Sequence, residues 1–184
     1  MAEKSFIRSI YRWRVRSATL LLLLIIILAR PNLLSILAGL ALSIIGLLIR
    51  MWASGHIRKE KELAVSGPYR YTRNPLYIGN FILGMSIAVG TYSLWCFWLF
   101  AAYFLVFYPP VIRVEKERMK RFFPKKYEEY KRSTPLFFPS LKPVPRSSGI
   151  QFSWALYKKN KEYMALIGAT FFWIILIAKM FLFP

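Results

Sequence analysis

Two short polar blocks contain the residue types in this sequence that could do chemistry. The first block, SGPYRYTRNPLYIG, covers residues 66–79 and combines glycine, proline, tyrosine and arginine between two apolar runs. The second block follows a later apolar run and covers residues 113–139. Polar residues at a membrane boundary are costly to place and mark functional sites by default. The two blocks together indicate a membrane-embedded enzyme rather than a passive membrane span.

The first block predicts a site for an anionic group at the mouth of a membrane helix. Asn74 and Pro75 are the residue types that begin a helix, as the N-cap and the first helical residue. A helix N-terminus presents unpaired N–H groups and the positive end of the helix dipole, which attract a carboxylate or phosphate. Arg73 adds a bidentate donor, Tyr77 lies one turn on, and Gly79 lets a bulky group approach the backbone.

The second block predicts an amphipathic helix on the membrane surface. Its apolar and aromatic residues recur at steps of three and four, which is the helical period: Met119, Phe122, Phe123, Tyr127 and Tyr130. Glu117 can pair with Arg121 on the polar face. Glu115 lies four residues before Met119, on the apolar side, where an acidic group suits a cationic partner.

The inventory of reactive side chains restricts the possible chemistry. All eight acidic residues are glutamates, and the chain has one histidine, His56, and one cysteine, Cys96. This excludes a disulfide within the chain and a Ser-His-Asp triad, and it argues against a structural metal site. An enzyme with these residues would take its reactive group from a bound cofactor. His56 is placed to act as a general base; an interfacial histidine with no such role is the alternative.

Composition and charge predict an all-α, polytopic integral membrane protein. The chain is 57% hydrophobic and has a formal net charge of +19, as expected for apolar helices joined by basic loops. Nucleic-acid binding, which a basic excess can also indicate, is disfavoured because the charges lie between the apolar runs. We predict five membrane segments, at residues 18–29, 33–51, 75–89, 94–108 and 164–183, the fourth closed by Pro109 and Pro110.

The positions of the basic residues predict the orientation of these spans. Residues 1–17, 50–73 and 111–161 hold five, six and fourteen of the lysines and arginines, which leaves only Arg30 and Lys179. Basic residues concentrate on the cytoplasmic side, so we expect a cytoplasmic N-terminus, a C-terminus on the opposite side, and both polar blocks facing the cytoplasm. The basic N-terminal segment also fits a signal peptide, whose cleavage would remove part of this balance.

Residues outside the two blocks have structural interpretations. Gly39, Ser43 and Gly46 follow helical spacing in the second apolar run and predict close packing against another helix. Asn160, Glu162 and Tyr163 precede the fifth run, and we expect them to cap its helix; a contribution to an acceptor site is the alternative.

The two blocks resemble the paired signature of the isoprenylcysteine carboxyl methyltransferase and phospholipid methyltransferase superfamily. In that superfamily an Arg-His-Pro-x-Tyr-x-Gly segment opens one membrane helix, and residues 73–79 read RNPLYIG here. A Glu-Glu-x-x-Leu-x-x-x-Phe-Gly-x-x-Tyr-x-x-Tyr segment follows the next helix, and this chain has EKERMKRFFPKKYEEY from residue 115. Order, spacing and predicted topology agree over residues 45–139.

Three positions depart from the superfamily pattern. Asn74 replaces the histidine, so an amide would have to take over any role of the imidazole. Lys116 replaces the second glutamate of the pair, which leaves Glu115 as the better match and Glu117 as a possible substitute. Pro124 replaces the glycine after the phenylalanine.

The resemblance implies one membrane-embedded methyltransferase domain over residues 1–184, with its signature core at 45–139 and an additional C-terminal membrane helix within 150–184. It implies S-adenosylmethionine as cofactor and methyl transfer at the cytoplasmic face to a lipophilic acceptor, such as a prenylated cysteine carboxylate or a phospholipid amine. Arg73, Glu115 and His56 are the expected catalytic residues. The expected cofactor-binding residues are Gly67, Tyr69, Arg73, Asn74, Pro75, Tyr77, Gly79, Glu115, Glu117, Tyr127 and Tyr130.

Two other classes of function remain open at this point. Integral-membrane sterol reductases, which use NADPH, resemble the superfamily in their final helices. A non-catalytic membrane scaffold or lipid-binding protein could also keep the same fold. The expected partners in each case are the bilayer and a membrane lipid or lipidated substrate.

Overall fold

A computed structural model describes residues 2–59, 61–145 and 151–183, with side chains in the first helix described at Trp13 and from Arg16 onward. The side chains of the other basic residues of the N-terminal segment therefore lie outside the described part of the chain: Lys4, Arg8, Arg12 and Arg14. Over these ranges the chain forms seven α-helices and one 3-10 helix, with no strand, which confirms the all-α prediction. The helices are α1 (Ala2–Leu28), α2 (Leu33–Ser54), the 3-10 helix (Gly67–Arg70), α3 (Pro75–Gly90), α4 (Leu94–Phe122), α5 (Pro124–Ser133), α6 (Trp154–Lys159) and α7 (Tyr163–Leu182).

Three of the described helices, α2, α4 and α7, are long and apolar enough to cross a membrane. The Arg16–Leu28 part of α1 and the whole of α3 form two shorter apolar helices. Each of the five predicted apolar segments falls on one of these helices. Large apolar side chains cover their outer faces; Leu34, for example, is 78% exposed.

The prediction that Pro109 and Pro110 close the fourth helix is wrong. α4 continues through both prolines to Phe122, so Glu115 lies on the same helix as the preceding apolar run. Proline removes a backbone donor, but its fixed φ is that of a helix, so the chain can continue past the weakened turn. The predicted amphipathic helix is therefore divided between the end of α4 and the separate helix α5.

The α2–α3 contact confirms the predicted close packing of small residues. A Cβ atom at Gly46 would lie 3.1 Å from the carbonyl oxygen of Gly79, and one at Gly39 would lie 2.8 Å from that of Ser86. Side chains at the two α2 glycines would push the helices apart, because these backbone oxygens cannot move aside as a flexible side chain can. This packing holds the beginning of α3 against the end of α2.

Two hydrophobic clusters organise the described residues. The first joins α1, α2, α4 and α7 and contains Ile25, Ala29, Ile36, Cys96, Phe172, Trp173 and Leu176. The second lies at the opposite end of α2 and contains Ala53, Leu63, Tyr69, Tyr127 and Tyr130. The second cluster brings residues of both polar blocks into one core.

The predicted capping of α7 is wrong. Asn160 Nδ2 donates instead to the carbonyl oxygens of Ser54, at 2.9 Å, and Ile57, at 3.1 Å. Glu162 stands at the N-cap position without a side-chain cap hydrogen bond, because its carboxylate accepts from Arg50 Nε at 2.6 Å. The end of α2 has carbonyl groups without helical partners, and Asn160 satisfies one of them.

Candidate functional site

A cavity of about 370 Å³ lies where the end of α2 and the beginning of α3 face the last turns of α4 and helix α5. This volume falls within the range of small-molecule sites. Its described charged lining residues are Arg50, Arg58, Lys59, Glu62, Arg73, Glu115, Lys116 and Arg118. Its aromatic lining residues are Tyr69, Tyr77, Phe123, Tyr127 and Tyr130.

Hydrogen bonds between the two polar blocks form one side of the cavity. The Arg73 N–H donates to the carbonyl oxygen of Pro135 at 2.9 Å. The hydroxyl of Tyr130, which is buried, donates to the carbonyl oxygen of Tyr69 at 2.7 Å. The blocks are separate in sequence, but these bonds make them one structural unit.

Arg73 presents a charged donor that the described residues do not satisfy. Its Nη1 donates to the hydroxyl of Tyr127 at 3.1 Å, and its Cζ lies 6.0 Å from the centroid of that ring. Its Nε is buried and has no hydrogen-bond partner among the described residues. An unpaired buried donor on a cation is costly, and an anionic ligand would satisfy it without displacing a protein bond.

Asn74 does not cap α3 with its side chain, contrary to the prediction. Its Nδ2 donates to the carbonyl oxygen of Leu136 at 2.8 Å, so the amide holds the loop after α5. Its backbone N–H lies 3.3 Å from the Thr72 hydroxyl oxygen. The Asn74 side chain makes no cap hydrogen bond to the first turn of α3, and Pro75, at that first turn, lines the cavity.

Glu115 lines the cavity, whereas Glu117 does not. The Glu115 side chain is 31% exposed, and its carboxylate lies 4.0 Å from Arg118 Nη1. Glu117 is exposed on another face of α4, with its carboxylate 3.9 Å from Lys116 Nζ. Met119 lines the cavity beside Glu115, as the four-residue spacing predicts.

The tyrosines supply a neutral wall for the cavity. Burial, and next the neighbouring Tyr130, raise the pKa of Tyr69 well above its usual value, so its hydroxyl stays protonated. Tyr127 packs edge-on against Tyr130 with ring centroids 6.5 Å apart. Tyr77 also lines the cavity, and its ring packs edge-on against Tyr108 with centroids 5.7 Å apart.

Besides Glu117, three predicted site residues lie outside the cavity lining: His56, Gly67 and Gly79. His56 is buried, with Nδ1 2.8 Å from the carbonyl oxygen of Trp52, and the backbone of Gly67, at a φ of +55°, lies over its ring. At Gly79 the space for a side chain is taken by the Arg50 stem. The protein therefore holds His56 outside the cavity lining, and Gly79 accommodates a side chain of the protein itself.

Arg50 and Asn80, which were not predicted from the sequence, line the cavity as well. Arg50 donates through Nε to Glu162 Oε1 at 2.6 Å and through Nη1 to Asn80 Oδ1. Burial raises the pKa of Glu162, although the neighbouring Arg50 guanidinium opposes the shift. The available signal was the presence of an arginine and an asparagine inside two apolar helices, where such residues are rare.

No group of three or more His, Cys, Asp or Glu side chains that could hold a metal ion occurs in the part of the chain that the structure describes. The donors and acceptors of the cavity instead suit an organic ligand that carries both an anionic and a cationic group. Arg73 provides for the anion, while Glu115 and the tyrosine faces provide for the cation.

Comparisons with known proteins match the chain to one family and to two curated relatives. The profile of the family described as phospholipid methyltransferase matches residues 33–126. The chain is 33% identical over 122 residues to the nickel-cobalt-cadmium resistance protein NccN of Alcaligenes xylosoxydans xylosoxydans, covering 65% of this chain and 51% of the relative. It is 38% identical over 105 residues to the cobalt-zinc-cadmium resistance protein CzcN of Cupriavidus metallidurans, covering 56% and 47%. The chain thus spans about half the length of the curated relatives it matches, and no solved structure matches it.

Proposed function

We propose that this chain, which belongs to the phospholipid methyltransferase family, transfers a methyl group from S-adenosylmethionine to a lipophilic acceptor at the cytoplasmic face of a membrane. Membership of the family confirms the resemblance seen in the two polar blocks. The observation that carries the proposal is one cavity lined both by Arg73, whose Nε has no partner among the described residues, and by the carboxylate of Glu115.

The cavity offers a partner to each charged group of S-adenosylmethionine. The Arg73 guanidinium, which lines the cavity, would donate to the carboxylate of the cofactor. Glu115 would face the ammonium or the sulfonium, and the rings of Tyr127 and Tyr130 would offer π faces to the same cations. When bound, the cofactor supplies an electrophilic methyl group on a good leaving group.

The residues of the chain would then orient the reactants and exclude water. The Tyr130–Tyr69 hydrogen bond fixes the aromatic wall, and the Arg73–Pro135 backbone bond fixes the loop that covers α3. Positioning and desolvation are the main contributions a protein makes to an in-line displacement. This accounts for a catalytic role in a chain with a single histidine and no aspartate.

We further propose the five-span topology, with the N-terminus in the cytoplasm and the C-terminus on the opposite side. The distribution of lysine and arginine supports it. In this arrangement the end of α2 and the beginnings of α3 and α7 lie at one membrane boundary. The cofactor would then enter from the cytosol and the lipophilic acceptor from the bilayer.

The names of the two relatives associate those proteins with resistance to nickel, cobalt, zinc and cadmium. For this chain we propose that a role in metal resistance would depend on methyl transfer. A strain carrying Arg73→Gln should then be as metal-sensitive as a strain lacking the gene. Full resistance with a protein that no longer binds the cofactor would contradict this link.

Calorimetric titration of the detergent-purified chain with S-adenosylmethionine and S-adenosylhomocysteine tests the proposed function. We expect both to bind, and we expect a labelled methyl group to pass from the cofactor into extracted membrane lipids. Binding of NADPH without either compound would identify the reductase alternative. Failure of the folded protein to bind any of the three would identify a non-catalytic scaffold.

A further inference from the structure

Arg50 and Asn80 form a second group of donors in the cavity. Neither residue belongs to one of the two polar blocks. Arg50 lies in the last turns of α2 (Leu33–Ser54), and Asn80 lies in the second turn of α3 (Pro75–Gly90). The Arg50 guanidinium donates through Nη1 to Asn80 Oδ1 and through Nε to Glu162 Oε1, the latter at 2.6 Å. Side chains from three parts of the fold therefore meet at this point.

These contacts leave donors available to a ligand. Because Asn80 Oδ1 accepts from Arg50, its Nδ2 is left as a donor with two hydrogens. Within the described ranges, the structure gives no acceptor to Asn80 Nδ2 or to Arg50 Nη2. A guanidinium and an amide that are hydrogen-bonded to each other, and that line the same cavity, are arranged in advance to bind an oxyanion.

The surrounding residues hold Arg50 in place. The Arg50 side chain is 17% exposed and that of Glu162 is 10% exposed, so the ion pair is largely shielded from solvent. Gly79 has no side chain, and the stem of Arg50 lies across α3 in the space that a Cβ would occupy. The position of the guanidinium is thus set by α2, by α3 and by the turn before α7.

S-adenosylmethionine would not neutralise the positive charge of the cavity, because its ammonium and sulfonium together outweigh its carboxylate. Among the described lining residues six carry a positive charge and two carry a negative charge. The two acids already have basic neighbours, Glu62 with Arg58 at 3.5 Å and Glu115 with Arg118 at 4.0 Å. Such an excess favours a second anionic group in the same cavity.

The Arg50–Asn80 pair lies deeper along α3 than Arg73. Arg73 precedes the first residue of α3, Pro75, and Asn80 lies five residues further along the helix, an axial rise of about 7.5 Å. One cavity therefore has two cationic positions at different depths. The deeper one lies between two apolar helices, where a lipid headgroup would enter.

We infer that Arg50 and Asn80 bind a phosphate group carried by the lipid acceptor, while Arg73 binds the carboxylate of the cofactor. The inference rests on the proposed function, which supplies the second ligand. It makes Arg50 and Asn80 residues that determine acceptor specificity, and it makes Glu162 the residue that positions Arg50.

Asn80→Asp tests the inference with little change of shape. The aspartate keeps an oxygen to accept from Arg50, but it replaces the free NH2 donor with a second carboxylate oxygen that repels phosphate. Lys120→Gln, on an exposed residue of α4 outside the cavity lining, changes the net charge by the same amount and serves as the matched control. The full chain in detergent would be titrated with dihexanoyl phosphatidic acid, dihexanoylglycerol, inorganic phosphate and S-adenosylhomocysteine.

We expect the wild-type protein to bind the phosphatidic acid and not the neutral diacylglycerol. Asn80→Asp should weaken phosphatidic acid binding at least about tenfold, while Lys120→Gln leaves it unchanged and both variants keep their affinity for S-adenosylhomocysteine. Arg50→Lys, which retains the charge but loses the forked donor, should show the same selective loss. It replaces Asn80→Asp as the test if that variant does not fold.

Two results would overturn the inference. One is phosphatidic acid binding that is equal in the wild type, Asn80→Asp and Arg50→Lys. The other is inorganic phosphate binding as tight as that of the lipid, which would identify a site for free phosphate. A third result separates the two proposals. If phosphatidic acid binding depends on Asn80 but the protein does not bind S-adenosylhomocysteine, the proposed function is refuted and the phosphate site is supported.

Discussion

Replacing Arg73 by glutamine should weaken S-adenosylhomocysteine binding about 10- to 100-fold. The buried Nε of Arg73 has no partner among the described residues, so a ligand carboxylate would gain this bond without breaking one in the protein. A hydrogen bond to a charged group contributes about 1.5–3 kcal/mol, and each 1.4 kcal/mol or so changes the dissociation constant about tenfold. S-adenosylhomocysteine is the suitable probe because it has the carboxylate but lacks the sulfonium charge.

Tyr127→Phe is the matched control for this prediction. It removes the hydroxyl that accepts from Arg73 Nη1 at 3.1 Å but leaves the guanidinium and the aromatic ring. We expect its affinity to stay within about threefold of the wild type, since no bond to the ligand is lost. Calorimetry on the detergent-purified proteins, with thermal unfolding to show that each is folded, measures both effects. A folded Arg73→Gln variant that binds S-adenosylhomocysteine like the wild type would refute the assignment of Arg73 to the carboxylate.

Three further predictions concern the charges and the buried wall of the cavity. Glu115→Gln should weaken binding of S-adenosylmethionine more than binding of S-adenosylhomocysteine, since only the former carries a sulfonium. The difference should be about three- to tenfold, because solvent partly screens the Glu115 carboxylate. An unchanged ratio of the two dissociation constants would place Glu115 away from the sulfonium. Burial raises the folded-state pKa of Glu162 above its ordinary value of 4.5, so its stabilising contribution is complete below that value and is lost as the pH rises through the folded-state pKa. The thermal midpoint of the wild type relative to Glu162→Gln should therefore fall as the pH is raised from about 4 to 8, and a difference that does not vary with pH would contradict the raised pKa. Tyr130→Phe should lower the free energy of unfolding by about 1–2 kcal/mol, because it leaves the buried carbonyl oxygen of Tyr69 without its donor; an unaltered thermal midpoint would count against this bond.

The elements that sequence analysis predicted correctly depend on local patterns. Apolar runs and a proline at the first helical position place the beginning of α3 at Pro75, as observed. Small residues at helical spacing predicted the packing surface that contains Gly39 and Gly46, which the structure confirms. Such features depend on residues within a few turns of one another, so the sequence alone contains the necessary information.

The features that sequence analysis missed depend on tertiary contacts. Asn74 and Asn160 both have the residue type of an N-cap, but each side chain donates to a carbonyl group in another element. Arg50 and Glu162 are 112 residues apart in sequence, and no spacing rule connects them. A polar residue in an apolar helix indicates that a partner exists, but only the packed structure identifies it.

The hydrogen bonds between the polar blocks define how far the chain can be shortened. The family match ends at residue 126, immediately before Tyr127 and the buried Tyr130. A fragment cut at that boundary would lose both rings and would leave Arg73 exposed to water on one side. The stretch after α5 is bound as well, since the Val144 N–H donates to the carbonyl oxygen of Arg70 at 3.1 Å. A shortened or exchanged domain should therefore end after the last residue of the family match and include the stretch that follows α5. It should also keep the turn before α7 that supplies Glu162.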